Sequence, residues 1–401
     1  MDFQLLCGHV LLKLQELPVS SVHCVVTSPP YWGLRCYRTQ PQVWGGQPDC
    51  SHDWTDEMPR AANEFRNGLG GEFIGRQDKL AINEAVNSST SGSFCRKCGA
   101  WRGELGSEPD PALYIEHLVM VFREVRRVLR PDGTLWLNIG STYTGSRCPN
   151  FKPKDLVPIP WLLGLALQAD GWWLRSDIVW QKANSMPEPV KDRPTQSHEY
   201  VLLLTPSRRY FYDGGAVREP IKQVSIKRTR YAFNSAKQPR DYPSGSGQRA
   251  DPPEMADLAG RNLRDVWKLS TRGSGFAHYA SFPPELPTTC IKAGTSEAGC
   301  CPECLAPIRR LTERRTVEPV AGAVVGTTVT VGWEPTCHCN AGPPIPCTVL
   351  DPFSGTGTTG EVALRLGRNY IGIELQEKYL DFSRKRLQNV APLFSARSII
   401  G

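Results

Sequence analysis

The sequence predicts an α/β protein with a mostly parallel central sheet whose strand order departs from chain order. Three features carry this expectation. Near the carboxyl end, CTVLDPFSGTGTTGEVALRLGRNYIGIE reads as strand, glycine-rich turn, helix and strand. Too little chain follows that unit to complete a covered parallel sheet. Apolar strand-like runs stand at the opposite end, at residues 3–6 and 23–27, so the missing strands are expected from there.

The elements follow in order. Residues 3–6 read as a short apolar strand, and 23–27 as a second that ends at Ser28-Pro29-Pro30-Tyr31. Asp110 can cap and Pro111 can open a helix in which Leu118, Phe122, Val125 and Leu129 recur at helical spacing. Gly133 is expected to end it before a strand at 134–139. A helix over 156–169, stopped by Gly171, precedes strands at 173–181 and 200–204. The carboxyl-terminal unit then supplies a strand ending at Leu350, a helix over 358–366, a strand at 370–373 and a helix over 376–387. Three loop-rich insertions, at 33–108, 183–197 and 214–280, exceed ordinary connections and point to function.

Composition narrows the class. Of 401 residues, 40% are hydrophobic and 22% charged, which is ordinary for a globular chain. No apolar run reaches the roughly 18 residues a membrane helix needs, so no membrane partner is expected. The start, MDFQLLCGHV, has an early acid, no basic opening and no small-residue cleavage site, and a cytoplasmic location is expected. Gly 36 and Pro 34 argue for long loops, and no solenoid or propeller period recurs. The 14 cysteines, in such a chain, read as metal ligands where they cluster. Net charge is a moderate +7, but residues 221–240 hold six bases and no acid, with Tyr231 and Phe233 interleaved. That stretch reads as a nucleic-acid contact surface or, more plainly, a solvated basic loop.

Gly355-Thr356-Gly357-Thr358-Thr359-Gly360 satisfies G-x-G-x-x-G between strand and helix, and Glu374 ends the next strand. Glycines admit the ligand to the backbone, and an acid beyond the next strand accepts hydrogen bonds from ribose hydroxyls. A dinucleotide and S-adenosylmethionine both fit, and a purely structural turn fits as well. Context comes from Thr27-Ser28-Pro29-Pro30-Tyr31-Trp32. Two prolines lack N–H groups and hold the chain extended, leaving carbonyls free to accept. Such a turn suits an exocyclic amine, a poor nucleophile because its lone pair is delocalised into the ring. Accepting its hydrogens at Ser28 Oγ and the Pro29 carbonyl favours a tetrahedral nitrogen, and Tyr31 can stack on a base rotated out of a duplex.

On these residues the chain resembles the β class of prokaryotic and phage DNA amino-methyltransferases, in which the catalytic SPPY-type motif precedes, and the FxGxG cofactor motif follows, a target-recognition region. Segments 135–140 and 173–182, Asp192-Arg193-Pro194 and His198-Glu199-Tyr200 also resemble core motifs of that family. The resemblance implies a circularly permuted, Rossmann-like S-adenosylmethionine-dependent methyltransferase fold. It implies cofactor binding by Asp351, Phe353, Gly355, Gly357 and Thr358, by Glu374 at the ribose, and by Phe282 and Pro283 closing over the methionine end. Ser28, Pro29, Pro30 and Tyr31 would hold the target base. One departure is His9, where relatives usually carry an acid near the cofactor adenine, so that contact is left unassigned. His198 is read as a structural residue at a strand start.

By the same resemblance, serine before PPY favours cytosine N4 over adenine N6 as the methyl acceptor. A glutamine-methylating relative is disfavoured by the basic insertion. A catalytically inactive zinc-ribbon DNA-binding protein and a nicotinamide oxidoreductase are the rivals from other classes. Double-stranded DNA is the expected partner, with a cognate restriction endonuclease and a homodimer as further candidates. The implied domain plan is 1–32 and 109–213 for the first two parts of the catalytic core, 33–108 for an insertion, 214–280 for target recognition, 281–347 for the cofactor-closing segment and a zinc ribbon, and 348–401 for the cofactor-binding unit.

Two structural Zn2+ sites are expected within those insertions. Cys301 and Cys304 with Cys337 and Cys339 offer CxxC and CxC pairs resembling a zinc ribbon, with Cys300 as a substitute for Cys301. Cys50, His52, Cys95 and Cys98 form a Cys3His candidate. Four ligands leave no open position, so each zinc would stabilise structure rather than activate water. Reduced thiols and a loop histidine are the plain alternatives. Cys7 and Cys24 read as small core residues.

Overall fold

A computed structural model describes residues 1–34, 37, 39–59, 90–144, 150–185, 187–221, 257–271, 282–320 and 323–390. Its strands, in chain order, are β1 (Phe3–Cys7), β2 (Val22–Thr27), β3 (Gln42–Trp44), β4 (Met58–Pro59), β5 (Thr90–Phe94), β6 (Trp101–Gly103), β7 (Leu129–Ile139), β8 (Thr142–Tyr143), β9 (Leu156–Val157), β10 (Trp173–Lys182), β11 (His198–Thr205), β12 (Val266–Leu269), β13 (Ile308–Val320), β14 (Ala323–Pro335), β15 (Thr348–Asp351) and β16 (Asn369–Glu374). The chain forms two compact units, one of Met1–Phe211, Asp265–Gly294 and Pro346–Gly401, the other of Tyr212–Arg264 and Thr295–Ile345.

The first unit is α/β. Its eight-stranded sheet has the order β1-β16-β15-β2-β7-β11-β10-β12, so strands from both chain ends are neighbours, as the sequence predicts. Among the described strands of this sheet, β11 alone runs against the others. β2 is buried at every residue, the pattern of a parallel strand covered on both faces. The helix Pro111–Val128 packs with Val10–Gln15 and Ile159–Ala169, while Glu285–Gly294 packs with Thr358–Arg365, which in turn meets Glu377–Val390. Val121, Phe122 and Val125 are fully buried, each worth roughly 1.5–3 kcal/mol over exposure.

Local chemistry sets the helix boundaries, and two differ from expectation. Asp110 caps the long helix by accepting from Leu113 N at 3.0 Å, with Pro111 opening it. It ends at Val128, before Gly133, because Pro131 excludes helical geometry from Arg130 and Leu129 is already extended. The next helix starts at Ile159 and not at 156, because Pro158 disfavours helical geometry at Val157. Leu156 and Val157 pair instead with Thr142 and Tyr143.

Several elements were not anticipated. The 33–108 insertion contains a small antiparallel sheet, β3-β6-β5-β4. The 214–280 stretch contributes β12 to the core sheet, parallel to β10. Helices Val10–Gln15 and Glu285–Gly294 were also missed. In the second unit β13 and β14 form a long antiparallel hairpin, and β14 is rich in the β-branched residues that favour strands. Cys24 is fully buried, but Cys7 is exposed: it is the last residue of β1 and faces outward. The basic run 222–240 lies outside the described residues, as do Cys36 and Cys148.

Candidate active site and cysteine clusters

Strands β2 and β15 are parallel neighbours, Cys24 opposite Val349 and Val25 opposite Leu350, so their carboxyl ends finish side by side. Thr27 Oγ1 donates to Asp351 Oδ1 at 2.7 Å, joining residues 324 apart in sequence. Thr359 Oγ1 donates to Asp351 Oδ2 at 2.8 Å, and Phe353 N to Oδ1 at 3.1 Å. Asp351 is 2% exposed. Burial pushes its carboxyl up to about 6, against the pull of these neutral donors.

The glycine turn leaves β15 here. Gly355 N donates to Glu374 Oε2 at 2.9 Å and Gln376 N to Oε1 at 3.0 Å, so the acid at the end of β16 braces the turn. Burial raises the Glu374 pKa while these amides lower it. Gly357 precedes the helix Thr358–Arg365 with φ +76, and a Cβ there would stand 2.2 Å from Ser383 Oγ. Glycine is required on both counts. Phe353 is half-buried against the core. The Thr358 hydroxyl accepts from Arg386 Nη1 at 3.0 Å. Phe282 and Pro283 are buried at the entrance to the helix Glu285–Gly294, which packs on β2.

Around the other turn the structure brings in groups from the segments 135–140, 173–182 and 198–200, to which sequence alone assigned no individual role. Tyr31 Oη donates to Glu199 Oε2 at 2.6 Å. Asn138 Nδ2, from β7, donates to Tyr31 Oη at 2.9 Å and to Glu199 Oε2 at 3.0 Å. Ser28 Oγ lies 3.4 Å from Tyr31 Oη and 3.5 Å from Asn138 Nδ2. Lys182, from β10, pairs with Glu199 Oε1. Burial raises the Glu199 pKa, but the Lys182 charge and the hydrogen bonds from Lys182, Tyr31 and Asn138 hold it below the ordinary value. A carboxylate heading the apolar strand YVLLLT was the available signal, since a buried acid requires partners. The expectation of free carbonyls needs one correction: the Pro30 carbonyl accepts from Tyr114 Oη at 2.7 Å. Behind the turn, Trp32 is buried and its Nε1 donates to the Glu108 carbonyl at 3.0 Å. His9 packs tilted against Trp44, ring centroids 4.6 Å apart, and burial with nearby His117 lowers its pKa to about 4, so its ring is neutral at neutral pH.

Residues 22–302 and 347–385 match the DNA methylase family. The chain belongs to the DNA methylases. The Type II methyltransferase M.XycI of Xanthomonas campestris pv. cyanopsidis is 33% identical over 403 residues, covering 95% of this chain and 86% of that protein. M.Cfr9I of Citrobacter freundii is 32% identical over 402 residues, with the same two coverages of 95% and 86%. The solved PvuII DNA methyltransferase (cytosine-N4-specific) is 14% identical, covers 98% of this chain and 91% of that one, and has a TM-score of 0.47. The methylase is an S-adenosylmethionine-dependent DNA methyltransferase of the N6/N4 type. None of its described helices is long and apolar enough to cross a membrane.

Both expected cysteine clusters of the methylase come together. In the first unit the ligand atoms of Cys50, His52, Cys95 and Cys98 all lie within 4.8 Å of one another. Cys50 Sγ and Cys95 Sγ are 3.9 Å apart, and Cys98 Sγ is 3.5 Å from His52 Nδ1. Gly46 makes room for them, because a Cβ there would stand 2.9 Å from Cys98 Sγ. In the second unit Cys301, Cys304, Cys337 and Cys339 meet within the same limit at the base of the β13–β14 hairpin. Cys301 is the member, while Cys300 pairs through its backbone with Ile345.

Proposed function

We propose that this methylase transfers the methyl group of S-adenosylmethionine to the exocyclic N4 amine of a cytosine rotated out of double-stranded DNA. The observation that carries the reading is the Thr27–Asp351 hydrogen bond, which puts the SPPY turn and the glycine turn at the same ends of neighbouring strands. When bound, the cofactor supplies an electrophilic methyl on a sulfonium. Asp351 sets the glycine turn through Phe353 N, and Glu374, with lone pairs left beyond its two amide contacts, accepts from the ribose hydroxyls. Gly355 and Gly357 let the backbone approach, with Phe353, Thr358, Phe282 and Pro283 around the cofactor. On the base side Ser28 Oγ and the Pro29 carbonyl accept the amine hydrogens, Pro30 fixes the turn, and Tyr31 stacks on the ring. Held this way, the amine would present its lone pair toward the donor, so that transfer would need no covalent enzyme intermediate. Serine before PPY, the residue mostly found in cytosine-N4 members of the resembled family, supports cytosine as the base.

The insertions at 33–108 and 214–280 are assigned to DNA contact, phosphates positioning the duplex and base edges selecting the site. A cognate restriction endonuclease is the proposed partner, consistent with the Type II naming of the relatives. Structural zinc is proposed in both cysteine clusters. Thiolates at about 2.3 Å from a tetrahedral zinc lie about 3.8 Å apart, close to the 3.9 Å between Cys50 and Cys95.

The test is transfer of isotopically labelled methyl groups to duplex DNA, followed by mass spectrometry of the nucleosides. N4-methylcytosine is expected; N6-methyladenine would overturn the base assignment, and unlabelled DNA the whole reading. Metal analysis of the same preparation should return about two zinc ions per chain; a value near zero defeats both sites.

A further inference from the structure

Methyl transfer leaves the amine nitrogen with one hydrogen too many for a neutral product, and Ser28 is a neutral hydroxyl that cannot keep it. The hydrogen bonds around Ser28 lead to a group that can. Ser28 Oγ faces Tyr31 Oη at 3.4 Å with the serine as donor, and Tyr31 Oη donates to Glu199 Oε2 at 2.6 Å. The direction of the phenolic hydrogen is fixed. Asn138 Nδ2 and Ser28 Oγ both donate to the phenol oxygen, at 2.9 and 3.4 Å, and the phenolic hydrogen takes the much shorter contact to Glu199 Oε2, which also accepts from Asn138 Nδ2 at 3.0 Å. Lys182 from β10 pairs with the other carboxylate oxygen and keeps Glu199 charged in its buried place.

We propose that Glu199 is the terminal proton acceptor of the transfer, reached through Ser28 and Tyr31; the idea rests on the reading of those two residues as the target-base turn. As the amine hydrogen passes to Ser28 Oγ, the serine hydrogen passes to Tyr31 Oη and the phenolic hydrogen to Glu199 Oε2. One N–H and two O–H bonds break and three O–H bonds form. The amine becomes neutral and the carboxylate becomes a carboxylic acid, which returns its proton to water after product release. Tyr31 never ionises in this sequence, as it must not: burial and the adjoining Glu199 raise its pKa well above the ordinary value. The methylated amine is a strong acid, because losing the proton restores its lone pair to the ring, so a carboxylate of low basicity suffices. The 3.4 Å link between Ser28 and Tyr31 is the one a bound amine has to close; catalytic hydrogen bonds tighten in this way when substrate arrives. Glu199 touches no substrate atom and acts through Tyr31, as a positioning and relay residue.

The experiment is Glu199→Gln in the full chain, with cofactor and duplex DNA saturating, read as the single-turnover rate against pH and in heavy water. The amide retains an acceptor for Tyr31 but no charge. Expected are cofactor and DNA affinities within about threefold of the parent, a rate lower by roughly 100-fold, a smaller solvent isotope effect, and at least a tenfold recovery in Glu199→Asp. The parent-to-variant rate ratio should shrink on acidification, because protonated Glu199 cannot accept; Lys182 and Tyr31 are the titratable groups that face it. Asp351, whose carboxyl pKa burial also raises, is present in both proteins and cancels in the ratio. An unchanged rate, or a loss that is independent of pH and solvent, overturns the relay. If Glu199→Gln loses cofactor binding, Tyr31→Phe cuts the relay with the ring in place, and a parental rate and isotope effect there overturn it equally. Failure of the parent to methylate DNA would instead sink the base-turn reading, so the two failures are distinguishable.

Discussion

Asp351, fully buried, and Glu199, whose side chain is 15% exposed, are carboxylates beside the two turns, and their surroundings hold them in opposite states. Asp351 meets neutral donors, the hydroxyls of Thr27 and Thr359 and the amide of Phe353, and its pKa rises to about 6. Glu199 has neutral donors too, but Lys182 adds a positive charge, and its pKa falls below the ordinary value. Neutral hydrogen bonds reduce the penalty for burying a carboxylate without cancelling it; a cation in contact reverses the sign. In the proposed function the positive charge missing around Asp351 arrives with the sulfonium cofactor. The charge beside Glu199 is built into the chain, which suits a group that must be ionised before the reaction starts.

That contrast can be broken by substitution. The largest effect is expected from Asp351→Ala, which strands three donors at about 1–3 kcal/mol each and should weaken cofactor binding roughly 100- to 1000-fold by calorimetry, with DNA affinity within about threefold. An equal loss of DNA binding would show that the two turns act as one. Tyr31→Ala should do the converse. Removal of base stacking, worth about 1–3 kcal/mol, should slow single-turnover transfer by up to roughly 100-fold while cofactor affinity stays within about threefold, and undiminished transfer would defeat the stacking role.

The pH dependence of stability sharpens the comparison. The folded pKa of Asp351, about 6, lies above its ordinary 3.8, so between these values the folded state holds the proton and the unfolded state does not. Its contribution therefore favours folding most below 4 and is lost as pH rises through 6. Glu199, with a lowered pKa, contributes in the opposite sense, its stabilisation present above its unfolded value and lost as pH falls through its folded one. Melting curves from pH 4.5 to 7.5 should show Asp351→Asn gaining on the parent as pH rises, by roughly a few degrees; parallel curves would refute the raised pKa. The smallest expected change belongs to Thr27→Val. It removes one of the donors to Asp351 and should cost about 1–2 kcal/mol in denaturant unfolding, with no loss implying that the hydroxyl is dispensable.

The cofactor side was far more legible in the sequence than the base side. Gly355, Gly357 and Glu374 fall within one strand-turn-helix-strand unit, where each group's partner lies a few residues or one crossover away, and the expected helix and strand formed there within a residue or two. The SPPY turn was equally visible as a turn. Its supports were not, because Asn138, Lys182 and Glu199 come from three separate strands. His198-Glu199-Tyr200 was read as a strand start, which it is, but the acid in that strand start gained its meaning only from the neighbours placed beside it. Helix ends were misjudged where proline outweighed a glycine signal, at Pro131, or where apolar periodicity ran across Pro158.

By itself the sequence determined most core elements, the departure of sheet order from chain order, the two turns and the two sets of cysteine ligands, because each depends on residues near in the chain or on a spacing that can be counted. Tertiary structure alone decided which strands lie side by side, and with them the ionisation of the two acids. A carboxylate's state depends on the desolvation and charges within a few ångströms, and for Asp351 and Glu199 those neighbours are as far off along the chain as Thr27 and Tyr31, 324 and 168 residues away.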